Sequence, residues 1–379
     1  MFRAVVLAPD TEFGNAVERL AFESRHLTVN KTLNALPESG YETARVINTY
    51  DPEVVLVQNT GGDVALQVAE NLKDCAPGVA VLALGGRVSA DLAQQFNAIG
   101  TVVLNGAFSQ QQFVLGIKAA IHRARRNTVS PIFAFLPGKA GSGAPTVAFN
   151  IAAAMALTLK KKTFVLEADL HSGVMSTLLN TKPKVPLIDA LQNSAELDYS
   201  LWLKYVITAN ATDFLLADRV KKAPLPSWMH YHQLLRFAVG RYEEIIVDLP
   251  EVVNEATDEI VQSAQWTFVV CTPELASLTL AGQRLQELKA HGAPEGRLRI
   301  VLNRWHKSDM KPEEVAALLG HPVSFVVRND YRTICKAFSS GKPLGPDTEL
   351  GRSFVEFATK LVGNVKQEQA VTKSRFSLF

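Results

Sequence analysis

Apolar residues along this chain come in short blocks separated by stretches in which they recur at helical spacing. In the first third the blocks are residues 3–8, 27–33, 53–58, 79–85 and 101–106, rich in Val, Leu and Ala. Between them, 13–24, 63–75, 90–99 and 109–126 read as amphipathic helices. Strand alternating with helix is the pattern of a parallel sheet wrapped by helices. Five such strands predict a flavodoxin-like α/β domain over residues 1–126.

The alternation then pauses at Arg123-Ala124-Arg125-Arg126, whose cations suit a helix end, and at a polar stretch closed by Pro131. Residues 127–130 are expected to link two domains. Beyond them the pattern resumes at greater length, with strands expected at 132–136, 163–169, 213–218, 244–250, 266–273, 298–303 and 323–327. A doubly wound parallel sheet over 131–363 is the expectation. The last stretch, 364–379, is polar until it closes on Arg375-Phe376-Ser377-Leu378-Phe379, and is expected to be a mobile tail.

Composition narrows the function classes. At 379 residues there is room for two domains with cores of their own. The 47% hydrophobic and 20% charged fractions fit a globular protein, no long apolar run suggests a membrane span, and the amino terminus does not read as a signal peptide, so a cytoplasmic protein is expected. Cys75, Cys271 and Cys335 match no metal spacing or disulfide framework and are expected to be buried thiols. A net charge of +2 offers no broad field for nucleic acid, which is not expected as a partner.

The chemistry concentrates in Gly138-Lys139-Ala140-Gly141-Ser142-Gly143-Ala144-Pro145-Thr146, between the strand at 132–136 and a helix from Thr146. A glycine-rich turn in that setting directs backbone N–H groups and the helix dipole at an anion. Phosphate loops of the G-x-x-x-x-G-K-[ST] type use the lysine to neutralise phosphates and the hydroxyl to hold Mg²⁺. Aligning Gly138 and Gly143 with the two glycines puts Ala144 at the lysine and Pro145 at the hydroxyl. Losing one charge-assisted contact costs about 1.5–3 kcal/mol. Hydrolysis should suffer more than binding, because stabilising the transferred phosphoryl group is the main work of lysine and Mg²⁺.

Lys139 to Thr146, followed by Asn150-Ile151-Ala152, resembles without gaps the K-G-G-x-G-K-T-T…N-L-A stretch of ParA/MinD-type "deviant Walker" ATPases. The resemblance implies a homodimer in which Lys139 reaches the partner's nucleotide, with ATP and a weakened Mg²⁺ site as cofactors. Val165-Leu166-Glu167-Ala168-Asp169 is similar to the family's D-x-D strand, which implies that Asp169 positions the attacking water if any activity remains. Ile245 to Pro250 resembles the Walker B strand, with Asp248 beside the metal's outer coordination sphere, and Val301-Leu302-Asn303-Arg304 the strand whose asparagine reads adenine.

Asp248-Leu249-Pro250 and Asn329-Asp330-Tyr331-Arg332…Ala337…Gly341-Lys342-Pro343-Leu344 resemble the TadZ/CpaE branch, which places Flp (tight-adherence, type IVb) pilus machinery at the cell pole and begins with a receiver-like domain. That resemblance implies a scaffold at the pole or peripheral to the inner membrane. Its implied partners are components of the pilus or secretion machinery, such as the secretion ATPase or polar proteins. A slow ATPase for spatial positioning or DNA partition is the alternative.

A working receiver needs an acidic pair after its first strand, then an aspartate, a hydroxyl and a lysine ending the third, fourth and fifth. The corresponding positions here are Pro9-Asp10, Gln58, Gly85 and Asn105-Gly106, so the first domain is expected to be a receiver without its phosphoacceptor. His230-Tyr231-His232 and His171 are read as packing or loop histidines in preference to ligands, and the terminal aromatics as at most a peripheral membrane contact.

Overall fold

The structure, a computed structural model, describes every residue except 62, 77, 126–130, 219–224 and 377–379, and the side chains of 125, 295 and 364–376 are likewise outside the description. The expected linker 127–130 and the last three residues therefore fall outside the described residues. The chain divides into two compact units, Met1–Thr128 and Val129–Phe379.

The first unit holds five strands: β1 (Phe2–Leu7), β2 (Leu27–Leu33), β3 (Val54–Gln58), β4 (Ala80–Leu84) and β5 (Val102–Leu104). They form one parallel sheet in the order β2-β1-β3-β4-β5, the flavodoxin-like order. β3 and β4 are buried along their whole length, which is why Val54-Val55-Leu56-Val57 reads as an unbroken apolar run. A helix the periodicity did not single out, Gly40–Tyr50, buries only Thr43, so its apolar stripe was too thin to read.

The second unit contains β6 (Ile132–Pro137), β7 (Thr163–Glu167), β8 (Ile207–Ala209), β9 (Thr212–Leu215), β10 (Glu244–Asp248), β11 (Trp266–Cys271), β12 (Leu298–Trp305) and β13 (Val323–Arg328). Their order is β13-β12-β11-β6-β10-β7-β9-β8. All pairs are parallel except the edge pair β8 and β9, a short hairpin absent from the seven expected strands because β8 spans only Ile207–Ala209. β6 stands between β11 and β10, so the loop leaving it opens at the centre of the sheet. Phe135 stacks on Phe268, and Phe325 on Phe357, in the core on one face.

Two expectations change. The final helix runs Glu349–Phe376, so the backbone stays helical where a mobile tail was expected from Asn364. It is anchored by buried Leu350, Phe354, Phe357 and Leu361. Of the three cysteines only Cys271 is buried. Cys75 is the last residue of its helix, and Cys335 lies on the outer side of Tyr331–Phe338, a helix with no fully buried residue. No described helix is long and apolar enough to cross a membrane.

Candidate functional site: a glycine loop above buried carboxylates

The loop after β6 is shaped by its glycines. Gly138 donates its N–H to Val270 O at 2.8 Å, and a Cβ on it would stand 2.9 Å from Ala281 Cβ. Gly141 and Gly143 adopt φ of +80° and +92°, which L side chains reach only with strain. Ser142 N–H closes back on Lys139 O at 3.0 Å.

The next helix, Ala144–Ala153, takes Gly143 as its N-cap and has Pro145 in its first turn, where a missing N–H is harmless. Its first hydrogen bond runs from Val147 N to Gly143 O, so the N–H groups ahead of it point out of the loop. Ala144 itself is completely buried among Phe135, Phe149 and their neighbours, whereas Lys139 is exposed at the lip.

The carboxyl ends of β7 and β10 lie side by side, with Glu167 opposite Asp248. Glu167 is fully buried and acts as a brace: Oε1 accepts from Met175 N at 2.6 Å and Oε2 from Ala217 N at 3.0 Å. Gly173 permits this closeness, since a Cβ there would meet Glu167 Oε1 at 2.6 Å. Burial pushes the Glu167 carboxyl up to about 7; the two backbone N–H groups pull the other way and the Asp169 charge adds to the rise.

Asp248, 2% exposed, is raised well above the usual carboxylate range, first by burial and then by the Glu167 and Asp169 charges. Asp248 Oδ1 and Ser142 Oγ are buried without hydrogen-bond partners. Asp169 is half-buried and commits both oxygens to its own loop: Oδ1 accepts from His171 N and Ser172 N, Oδ2 from Ser172 Oγ. It also lines a cavity of about 300 Å³ with His171, Tyr231, Glu251 and Val252.

Asn303 and Arg304, at the end of β12, meet the loop from another side. Asn303 Nδ2 donates to Ser142 O at 2.7 Å, its Oδ1 accepts from Arg304 N at 2.9 Å, and Arg304 Nη2 donates to Gly141 O at 2.9 Å. Each end of the Asn303 amide thus makes one contact, and the amide keeps a second N–H and a second lone pair, so the adenine-reading role implied for it stands as an expectation. Asn150, in the helix after the loop, donates to Thr146 O and accepts from Leu344 N, fastening the Gly341 to Leu344 segment to that helix.

Gly138, Lys139, Gly141, Ser142, Gly143, Ala144, Pro145 and Thr146 thus form one loop and helix start, with Asn303 against it, while Glu167, Asp169 and Asp248 form an acidic group at neighbouring strand ends. The backbone half fits a phosphate: a left-handed glycine turn, an outward-facing helix start, and two buried polar atoms lacking partners. The metal half lacks one donor, because Pro145 offers no hydroxyl where the motif has one. Sequence reasoning missed Arg304 as a loop contact and Glu167 as a brace; Asn303-Arg304 and the departure from D-x-D at Glu167 were the available signals.

The two histidines of His230-Tyr231-His232 part company. His230 Nδ1 accepts from Ser227 N at the start of its own helix, whereas buried His232 lies 3.1 Å from Glu259. Among the described residues no group of three His, Cys, Asp or Glu is arranged to hold a metal ion.

In the first unit the expected phosphoacceptor end is filled. Asp10 caps the helix Thr11–Ser24, and its N–H donates to Gln58 Oε1 at 2.9 Å. Asn59 N donates to Leu84 O, Gly106 N to Gly86 O, and a Cβ on Gly86 would sit 2.5 Å from Asn59 O.

No protein-family model matches the chain. A septum site-determining protein MinD of Emiliania huxleyi is 26% identical over 246 residues, covering 62% of this chain and 88% of the relative. An ATP-binding protein of Methanocaldococcus jannaschii is also 26% identical, covering 64% and 92%. Among solved structures, a ParA family ATPase from Chlorobium tepidum superposes with a TM-score of 0.55 at 23% identity, over 62% of this chain and 98% of the other. MinD from Pyrococcus horikoshii, complexed with Mg-ADP, gives 0.50 at 20% identity, over 61% and 95%. MinD in the MinC:MinD complex of Aquifex aeolicus gives 0.51 at 18%, over 61% and 95%. Homologues of this chain are thus MinD/ParA-type P-loop ATPases, and the structural neighbours share their fold with it.

Proposed function

We propose that this chain is a positioning scaffold of the MinD/ParA type. Its second unit dimerises around nucleotide with little or no hydrolysis, and its first unit is a receiver-like module that docks partners. The observation that carries this reading is the loop itself. The glycine turn and the exposed Lys139 persist, while a buried alanine and a proline occupy the two positions hydrolysis needs most.

In this reading Gly138 to Thr146 hold the phosphates of ATP and Lys139 reaches the second copy's nucleotide. Asp248 stands near a weakly held Mg²⁺. The particular role is the polar placement of Flp-type pilus machinery, on the cytoplasmic side of the inner membrane. That role rests on the likeness of Asp248-Leu249-Pro250 and of the Asn329 to Leu344 segment to the TadZ/CpaE branch.

Calorimetry with Mg-ATP and light scattering on the full chain test the scaffold; micromolar binding and a nucleotide-dependent dimer are expected. A monomer that binds neither ATP nor ADP would refute it. A fluorescent fusion probes the polar placement. Polar foci that disperse when the secretion ATPase gene is deleted support it, and an even signal removes it.

A slow MinD/ParA-type ATPase is the second reading, favoured by the position of Asp169 in the lining of a cavity. Turnover that vanishes in Asp169→Ala would select it.

A further inference from the structure

In a loop whose N–H groups face an anion, the carbonyls face the opposite way and need donors of their own. Here those donors come from β12. Ser142 O receives Asn303 Nδ2 and Gly141 O receives Arg304 Nη2.

Neighbouring residues on a strand point to opposite faces, so two in succession do not ordinarily reach one loop. Arg304 breaks the rule by adopting φ +57°, a left-handed conformation rare outside glycine, at the point where the β12 to β13 register shifts between Leu302 and Trp305. Backbone strain of this kind persists where the surrounding structure imposes it, and it concentrates at functional positions. The Asn303 amide is fixed at both ends, by Ser142 O and by Arg304 N, in a position that is 5% exposed. Gly143 is shaped to the same contact, since a Cβ there would stand 2.5 Å from Asn303 Nδ2.

Charge points the same way. Arg304 is exposed at the lip of the loop, and it and Lys139 both act on the Glu274 carboxyl, which is held below the usual range first by Thr272 and then in part by these cations. The rim thus carries two cations although Ala144 carries none.

We propose that Arg304, together with Asn303, is a positioning residue that holds the loop in shape for the polyphosphate of a nucleotide and, with Lys139, supplies the positive charge that Ala144 does not. This rests on the reading of the loop as a phosphate site. The clamp holds the carbonyl side of the loop from behind. Arg304 adds positive charge at the rim beside Lys139.

Two measurements on the full chain test this. Hydrogen exchange without nucleotide reads the loop directly at the amides of Ser142 and Val147, whose bonds to Lys139 O and Gly143 O depend on its shape. Arg304→Ala should speed exchange there at least fivefold, and Arg304→Lys, which keeps a donor, should restore most of the protection. Unchanged exchange in Arg304→Ala overturns the clamp. Calorimetry with Mg-ADP reads the phosphate site: an affinity weakened about tenfold by Arg304→Ala and largely restored in Arg304→Lys supports the proposal, and an affinity unchanged in Arg304→Ala overturns it. If the wild type does not bind Mg-ADP the phosphate-site reading fails, and the exchange data still decide the clamp.

Discussion

At the carboxyl edge of the first sheet the space where a receiver keeps its acids is closed by the chain itself, whereas at that of the second a glycine loop stands open beside buried carboxylates. Gln58, Asn59, Gly85 and Gly86 knit β3 and β4 to the loops around them, and Asp10, the surviving acid, is occupied as a helix cap. In the second unit the loop keeps its shape, and Asp248 Oδ1 and Ser142 Oγ remain without partners. The first end spends its polar groups on internal cohesion. The second has an alanine and a proline where the phosphate-loop motif has a lysine and a hydroxyl, and keeps buried polar atoms without partners, which are costly to maintain.

The largest expected effect tests the closure. Gly86→Ala combines a left-handed φ of +66° with a Cβ 2.5 Å from Asn59 O, so it should destabilise the first unit by about 4 kcal/mol. Gly141→Ala meets open space and should cost only about 1–2 kcal/mol. Hydrogen exchange in β3 and β4 reads the first, and tryptophan fluorescence the second, because Trp202, Trp228, Trp266 and Trp305 all lie in the second unit. Equal costs would erase the contrast.

The next effect comes from the buried acids. Glu167 ionises at about 7 in the fold against its ordinary 4.5, so the folded state binds its proton more tightly than the unfolded chain does. Its contribution is complete below pH 4.5 and is lost as pH rises through about 7; the difference amounts to about 3 kcal/mol. Asp248, raised in the same direction, adds to the trend. The urea midpoint followed by tryptophan fluorescence should therefore fall from pH 5 to pH 8, and a flat profile would show the acids to be better solvated than their burial implies.

Restoring the lost charge is a smaller change. Ala144→Lys should tighten Mg-ADP binding at least tenfold, about 1.5–3 kcal/mol, as read by calorimetry. No gain would mean that the buried position of Ala144 keeps the new ammonium from the phosphates. Smallest is Asp10→Ala, which removes a cap to Glu12 N and Phe13 N and should cost the first unit about 1 kcal/mol.

The central strands were legible because they pair in parallel and are buried on both faces, so each reads as a compact apolar run; β8, three residues in an antiparallel edge pair, gave no such signal. The loop at Gly138 to Thr146 was legible because its glycines are required locally by backbone torsion. Glu167 was less so: its departure from the D-x-D pattern was visible, but its work is to hold Met175 N and Ala217 N, which lie 8 and 50 residues away.

By itself the sequence determined the two alternating α/β units, the glycine turn, and the absence of lysine and hydroxyl at Ala144 and Pro145, since these follow from periodicity and from residue identity. Only the tertiary structure decided where the polar groups point. Asn303 and Arg304 lie far along the chain from the loop they hold, at 161 and 163 positions' separation, and their joint reach depends on the left-handed turn at Arg304. Side-chain identity fixes which hydrogen bonds are available; the packing of β12 beside β11, and of β11 beside β6, fixes which are made.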